Sequence, residues 1–355
     1  MGILDKLAVL LLTIKQLMMI RAILKISRQL IPVVAALFFL TACNSLPALT
    51  SLSWESVALP TQATVLDISF ASPDHGWLVG TNSTLLETVD GGKTWEQRPL
   101  ALGDLDYRFS SVSFSGDEGW IVGEPAILLH TTDGGQSWSR VSLSTQLPGT
   151  PSQVTALGPK SVEMITDLGA IYQTQDEAQH WTAMVEEATG ATRNINRSED
   201  GKYVAVSSRG SFYTTYEPGQ TAWQSHNRNG ARRIQTMGFD PSGNPWILNK
   251  GGQIQFSTGK SEDGEYTWAE PFTPGTNKIG LLDLAYRNPD EIWISGGSGT
   301  LLCSLDGGKT WQQDMTVEDV PSNFYKIIFV SPDQGFITGQ TGTLLRFIGA
   351  PKAAA

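Results

Sequence analysis

Short runs in which apolar and polar residues alternate recur along this chain, divided by Gly, Asp, Asn, Ser and Pro. Val65-Leu66-Asp67-Ile68-Ser69-Phe70 is followed by Gly76-Trp77-Leu78-Val79-Gly80, then by Thr84-Leu85-Leu86-Glu87-Thr88 and by Trp95-Glu96-Gln97-Arg98. β-Branched and aromatic residues fill the runs and turn formers separate them, which predicts short strands. The second run recurs at 119–123, 163–166, 203–206, 245–248, 292–295 and 335–338, making seven copies. A Trp also recurs, at 54, 95, 138, 181, 223, 268 and 311, in steps of 41 to 45 residues. Four strands per unit at this period predict an all-β fold, a seven-bladed β-propeller of four-stranded blades spanning residues 51–348, with a tail at 349–355.

The count is offset at its ends. The last unit, from Phe324 to Phe347, supplies three strands and no closing Trp, while Trp54 precedes any inner strand. Residues 51–57 are therefore predicted to complete the last blade, joining the chain ends and removing a free seam. Asp-Gly-Gly-Lys-Thr-Trp at 90–95 returns at 306–311, as Asp-Gly-Gly-Gln-Ser-Trp at 133–138, and more weakly at 176–181. These turns resemble the Asp-box of sialidase-like and sortilin-like propellers. Asp accepts backbone N–H groups in a tight turn, Gly supplies positive φ and Trp packs between blades. Each box belongs to a different blade, so Asp90, Asp133 and Asp306 do not converge as catalytic acids or calcium ligands.

The N-terminus has a different pattern. Lys15, Arg21, Lys25 and Arg28 precede a ten-residue apolar run, Ile31 to Leu40, too short to span a bilayer and of signal-sequence size. It ends in Leu40-Thr41-Ala42-Cys43, which resembles a bacterial lipobox; an ordinary signal peptide cut near Ala42 is the alternative. Residues 1–42 are thus expected to be a signal peptide, with 1–17 fitting a misplaced start codon ahead of Met18 or Met19. Cys43 is the expected site of lipid attachment and 43–50 a tether.

Composition narrows the function. Hydrophobic residues make up 40% and charged residues 17%, enough for a large core. The first 42 residues hold five basic side chains and one acid, leaving 20 positive and 34 negative charges beyond them. That balance argues against nucleic-acid binding. His75, His130, His180 and His226 fall at unrelated repeat positions, and neither a metal cluster nor a catalytic or phosphate-loop motif is present. No metal, cofactor or small-molecule substrate is expected. Cys303, at a strand position occupied elsewhere by Glu87, His130, Gln173 and Arg346, is expected to be a free thiol less buried than a core cysteine.

One charge feature remains. Six of the eleven Arg beyond Cys43 lie within 193–233: Arg193, Arg197, Arg209, Arg228, Arg232 and Arg233. In a four-stranded meander the entry to the inner strand and the turn after the second strand share a face. Arg193, Arg209, Arg228, Arg232 and Arg233 are thereby predicted to gather where blades 4 and 5 meet, whereas Arg197 falls at the far end of its strand. Guanidinium forks suit carboxylates, phosphates and peptide carbonyls. Pairing with Glu186, Glu187, Glu199 or Glu217 is the competing reading.

The segments Thr192-Arg193-Asn194-Ile195-Asn196-Arg197-Ser198-Glu199-Asp200-Gly201-Lys202-Tyr203-Val204-Ala205-Val206-Ser207-Ser208-Arg209-Gly210 and Gly230-Ala231-Arg232-Arg233-Ile234-Gln235-Thr236-Met237-Gly238-Phe239 resemble the photosystem II stability/assembly factor family, and the likeness extends over residues 51–348. The resemblance implies a non-enzymatic assembly factor on the lumenal side of the thylakoid membrane, held there through Cys43. It implies binding to newly made D1 and its precursor in early photosystem II assembly complexes, in assembly and repair, with the six Arg as partner-binding residues. A sialidase-like glycoside hydrolase is the alternative; against it, the chain lacks an Arg-Ile-Pro motif near its start and has seven units where six are usual.

Overall fold

In the computed structural model the residues described are 46–49, 51–226, 230, 232–275 and 280–350. The signal segment, Cys43 and Arg228 lie outside them. The unit that begins at Leu46 consists of seven sheets, each built on an antiparallel meander in chain order, to which N-terminal strands are added in blades 6 and 7. The inner strands are Val65–Phe70, Arg108–Ser115, Pro151–Gly158, Thr192–Arg197, Ile234–Phe239, Leu281–Tyr286 and Phe324–Ser331, for blades 1 to 7. The last inner strand packs against the first, so the sheets close a ring.

The closure uses the N-terminal strand. Trp54–Val57 pairs antiparallel with Leu344–Phe347, Trp54 opposite Phe347 and Val57 opposite Leu344, as the outer strand of blade 7. Trp54 is buried, edge-on to Trp293 of blade 6 at 5.4 Å and to Phe347 at 5.2 Å. A further strand departs from the expected tether: Ala48–Leu49 runs parallel to Gln312–Asp314 and adds a fifth strand to blade 6. Leu49 and Trp54 belong to the same apolar cluster as Cys303, which corrects the expectation for that thiol. Cys303 is fully buried within that cluster, and burial pushes its thiol far up, out of reactive range.

Polar side chains of the inner strands bind one blade to the next. Asp67 Oδ2 accepts the Val112 N–H at 3.1 Å and the Ser111 hydroxyl at 2.8 Å. Asn194 accepts from Met237 at 3.1 Å and Asp283 from Ile327 at 3.0 Å. Where blade 7 meets blade 1 the sense reverses, and Lys326 Nζ reaches Asp67 Oδ1 at 2.6 Å. The bonds depend on a bulge that every inner strand carries at the same place, shown by register shifts after Val65, Phe109, Pro151, Thr192, Ile234, Leu281 and Phe324. The extra residue at such a bulge re-aims its neighbours.

The Asp-boxes lie on the opposite edge of the ring. Asp306 accepts from the Lys309 and Thr310 N–H groups at 3.0 and 2.8 Å and from the hydroxyls of Thr310 and Ser304 at 2.6 and 2.9 Å. The Thr310 hydroxyl and N–H lead the interactions that hold this carboxyl down to about 2. The glycines have a packing role as well. Gly135, at φ +94°, has no room for a Cβ because the Trp77 ring of blade 1 lies against it, and Trp77 Nε1 donates to Gly134 O at 2.9 Å. In the weaker box of blade 3, Glu177 and Ala178 hold positive φ without being glycine. Each such residue costs roughly 1–2 kcal/mol.

Two predictions follow from the ring contacts. Trp54→Ala is expected to destabilise the propeller by about 3–5 kcal/mol in chemical denaturation, since it empties the blade 6/7 seam. Burial pushes the Asp283 carboxyl up to about 6, against the pull of the Ile327 N–H and Lys326. Asp283 is only partly buried and Lys326 keeps 42% side-chain exposure, so the cost of ionising is modest. A folded-state value above the ordinary 3.8 means that stability present below about pH 4 is lost as pH rises through about 6. Asp283→Asn should remove a loss on the order of 1–2 kcal/mol, read as a flatter dependence of melting temperature on pH between 4 and 7.

Candidate partner-binding face

Blade 4 is built from Thr192–Arg197, Tyr203–Ser207, Tyr213–Tyr216 and Gln224–His226; blade 5 from Ile234–Phe239, Pro245–Asn249, Gln253–Lys260 and Tyr266–Trp268. The turn after Tyr203–Ser207 carries Arg209, and Arg232 and Arg233 stand immediately before Ile234. Backbone bonds join these pieces. The Ser208 N–H donates to Ala191 O at 2.9 Å, the Ile234 N–H to Gly210 O at 2.8 Å, and the Lys250 N–H to Arg233 O at 2.8 Å. Gly210, at φ +70°, is required there: a Cβ would run into Ile234 O. Arg209 is thus fixed beside the entry to blade 5.

Arg193 completes the group. It is the extra residue of the blade 4 bulge, and its Nη1 crosses the seam to Ile234 O at 3.3 Å and Gln235 Oε1 at 3.4 Å. Arg232 leans over the next turn, with Nη1 2.9 Å from where a Cβ on Gly251 would stand. Arg193, Arg209, Arg232 and Arg233 are all exposed and share one face. Among the described residues the side chains of Arg209 and Arg233 make no hydrogen bond or ion pair, and no carboxylate pairs with Arg193. Elsewhere in the ring Arg98 pairs with Glu87, Arg287 with Glu291 and Arg346 with Glu55, whereas among the described residues Arg140 meets only the Tyr107 hydroxyl and ring. The competing reading, with nearby Glu residues as partners, does not describe Arg193, Arg209 or Arg233; Glu217 is taken by Lys260.

Arg197 is corrected. It lies at the other end of its strand, with Nε 2.8 Å from Glu163 Oε1 and its guanidinium 5.9 Å from the Tyr203 ring centroid. Tyr203 also donates to Glu163. Both charged side chains are nearly buried, at 14% and 10% exposure, so Arg197 links blade 4 to blade 3 and is withdrawn from the exposed face. Arg228 lies outside the described residues. The four histidines each meet a carboxylate: His75 with Glu87, His130 with Glu118, His180 with Asp176 and His226 with Glu265. No group of three metal-ligating side chains occurs among the described residues. Sequence reasoning missed an exposed aromatic in the Arg209 turn, Phe212, whose carbonyl accepts the Ser207 N–H at 3.1 Å.

With this face described, the comparisons with known proteins decide the family. The profile of the photosynthesis system II assembly factor YCF48 family matches residues 46–348. The chain belongs to this family. It is 59% identical over 267 residues to the photosystem II assembly protein Ycf48 of Thermosynechococcus vestitus, covering 75% of this chain and 76% of that one. It is 52% identical over 286 residues to the photosystem II assembly lipoprotein Ycf48 of a Picosynechococcus species, covering 80% and 84%. A solved structure described as YCF48 bound to D1 peptide is 58% identical, with a TM-score of 0.83 over 86% of this chain and all of the other. These are assembly proteins, and the glycosidase alternative is set aside.

The two kinds of arginine separate by stability. Arg197→Ala should cost about 3–5 kcal/mol because it strands Glu163 in a nearly buried position. Arg209→Ala and Arg233→Ala should stay within about 0.5 kcal/mol of the parent. Urea unfolding of the three variants is the measurement.

Proposed function

We propose that this chain is a non-enzymatic photosystem II assembly factor that holds newly made D1, including its precursor, through Arg193, Arg209, Arg232 and Arg233. The single observation that carries the reading is that the exposed guanidinium groups of Arg193, Arg209 and Arg233 have no carboxylate partner among the described residues of an otherwise acidic protein. Fixed guanidinium forks bind carboxylates and peptide carbonyls with directional, charge-assisted bonds, and Arg is favoured at the energetic centres of interfaces. The D1 peptide bound by a relative 58% identical in sequence supports D1 as the occupant. The face is rigid because Gly210, Ile234 and Lys250 lock its turns together by backbone bonds.

Acylated Cys43 anchors the chain on the lumenal side of the thylakoid membrane, where it acts in early assembly complexes and repair. The lipoprotein name of the Picosynechococcus relative and the Leu40-Thr41-Ala42-Cys43 sequence support this part. Confinement to the membrane raises the effective concentration of a membrane-embedded partner.

Reversing two charges tests the face. Arg232→Glu with Arg233→Glu should weaken D1 peptide binding by at least ~100-fold, about 3 kcal/mol at a charged contact, with the melting temperature unchanged. Unaltered affinity in fluorescence anisotropy would remove this face from the function.

A further inference from the structure

The seven bulges leave one extra residue per blade: Leu66, Ser110, Ser152, Arg193, Gln235, Leu282 and Tyr325. All stand near the start of their inner strands, so they ring the axial mouth on the face that carries Arg193, Arg209 and Arg233. Their chemistry is divided in two. Blades 2 to 5 contribute Ser110, Ser152, Arg193 and Gln235; blades 6, 7 and 1 contribute Leu282, Tyr325 and Leu66. Arg193 is the single charge of the ring, exposed and held only by two long bonds, at 3.3 and 3.4 Å. Across the mouth Tyr325 is 40% exposed, its hydroxyl steadied by Gln340 Oε1 at 3.0 Å. Leu66 and Leu282 are half-buried.

We propose that this axial mouth is a specificity pocket of the partner-binding face, taking a peptide segment in which an apolar side chain lies close to a carboxylate. The inference rests on the function proposed above and adds to it the side-chain chemistry that is read. The apolar arc takes the hydrocarbon group, and Arg193 turns from its weak contacts with Ile234 O and Gln235 to pair with the carboxylate. Charge selects the occupant. The chain carries a formal net charge of -10, so an acidic segment is disfavoured by the overall field and favoured beside Arg193, Arg209 and Arg233, which have no carboxylate partner among the described residues. A purely acidic peptide would leave the Leu282–Tyr325–Leu66 arc wet, and a purely apolar one would cover Arg193 without pairing it, a costly arrangement. Discrimination by this pocket therefore needs both groups in one ligand.

The test uses the full chain and fluorescein-labelled overlapping peptides covering D1, read by anisotropy. Peptides that bind should contain an apolar residue within three positions of an acidic one. Tyr325→Ala and Leu282→Ala should each weaken the best peptide by about tenfold, and Tyr325→Phe should bind like the parent. Changing the peptide's apolar residue to Ser should weaken the parent protein but have little further effect on Tyr325→Ala, the coupling expected of two groups in contact. Unchanged affinity in both Ala variants, or additive losses in the cycle, would overturn the pocket. If Arg232→Glu with Arg233→Glu still abolishes binding in that case, the face stands without the pocket; if it does not, the functional reading fails with it. Melting temperatures of Tyr325→Ala and Tyr325→Phe, altered at an exposed position, guard against misreading a folding defect.

Discussion

A propeller blade cannot bury its own faces, so the fold depends on whatever fixes one blade against the next. Here the seams combine apolar packing with a recurring polar bond, in which an inner-strand side chain accepts a backbone N–H of the following blade. Asp67, Asn194 and Asp283 do this directly. Such a bond sets register as well as distance, since the acceptor meets one particular amide. The seam between blades 7 and 1 replaces it with the Lys326–Asp67 ion pair, which spans the join between the chain's two ends.

The same bulge that creates these acceptors also creates the mouth. A strand with strict alternation would send one side chain to each neighbour in turn. The bulge places two consecutive residues toward the next blade, as Arg193 and Asn194 both reach blade 5. One residue of the pair ties the seam and the other is left near the rim. Structural and functional positions are thus adjacent in sequence, and Arg193 performs a little of each.

Much of the architecture was legible because repetition amplifies a weak signal. One Trp or one Asp-Gly-Gly says little, but the recurring Trp counted the blades and isolated Trp54 as the clasp. The cluster of Arg193, Arg209, Arg232 and Arg233 was legible from blade topology, as was the displacement of Arg197. What the pattern hid were contacts between distant segments. Cys303 looked half-exposed by comparison with its equivalents in other blades, but it sits in a cluster that Leu49 and Trp54 of the N-terminal segment join. The bulge ring does leave a trace in the sequence: Val65-x-x-Ile68, Phe109-x-x-Val112, Ile234-x-x-Met237, Leu281-x-x-Leu284 and Phe324-x-x-Ile327 space their buried residues by three where alternation would space them by two. Side-chain partners, such as Glu163 for Arg197, were not legible, because no local rule brings those positions together.

The clasp has a consequence in time. Trp54–Val57 is among the first parts of the propeller to leave the ribosome, and its partner Leu344–Phe347 is among the last. At roughly 5–20 residues per second, the first strand waits some 15–60 s for the residues that complete it. Throughout that interval an edge strand with a large indole is without its sheet, and a chain that stops early never supplies the sheet at all. The ring can be sealed only by a finished polypeptide, so closure doubles as a test of completeness.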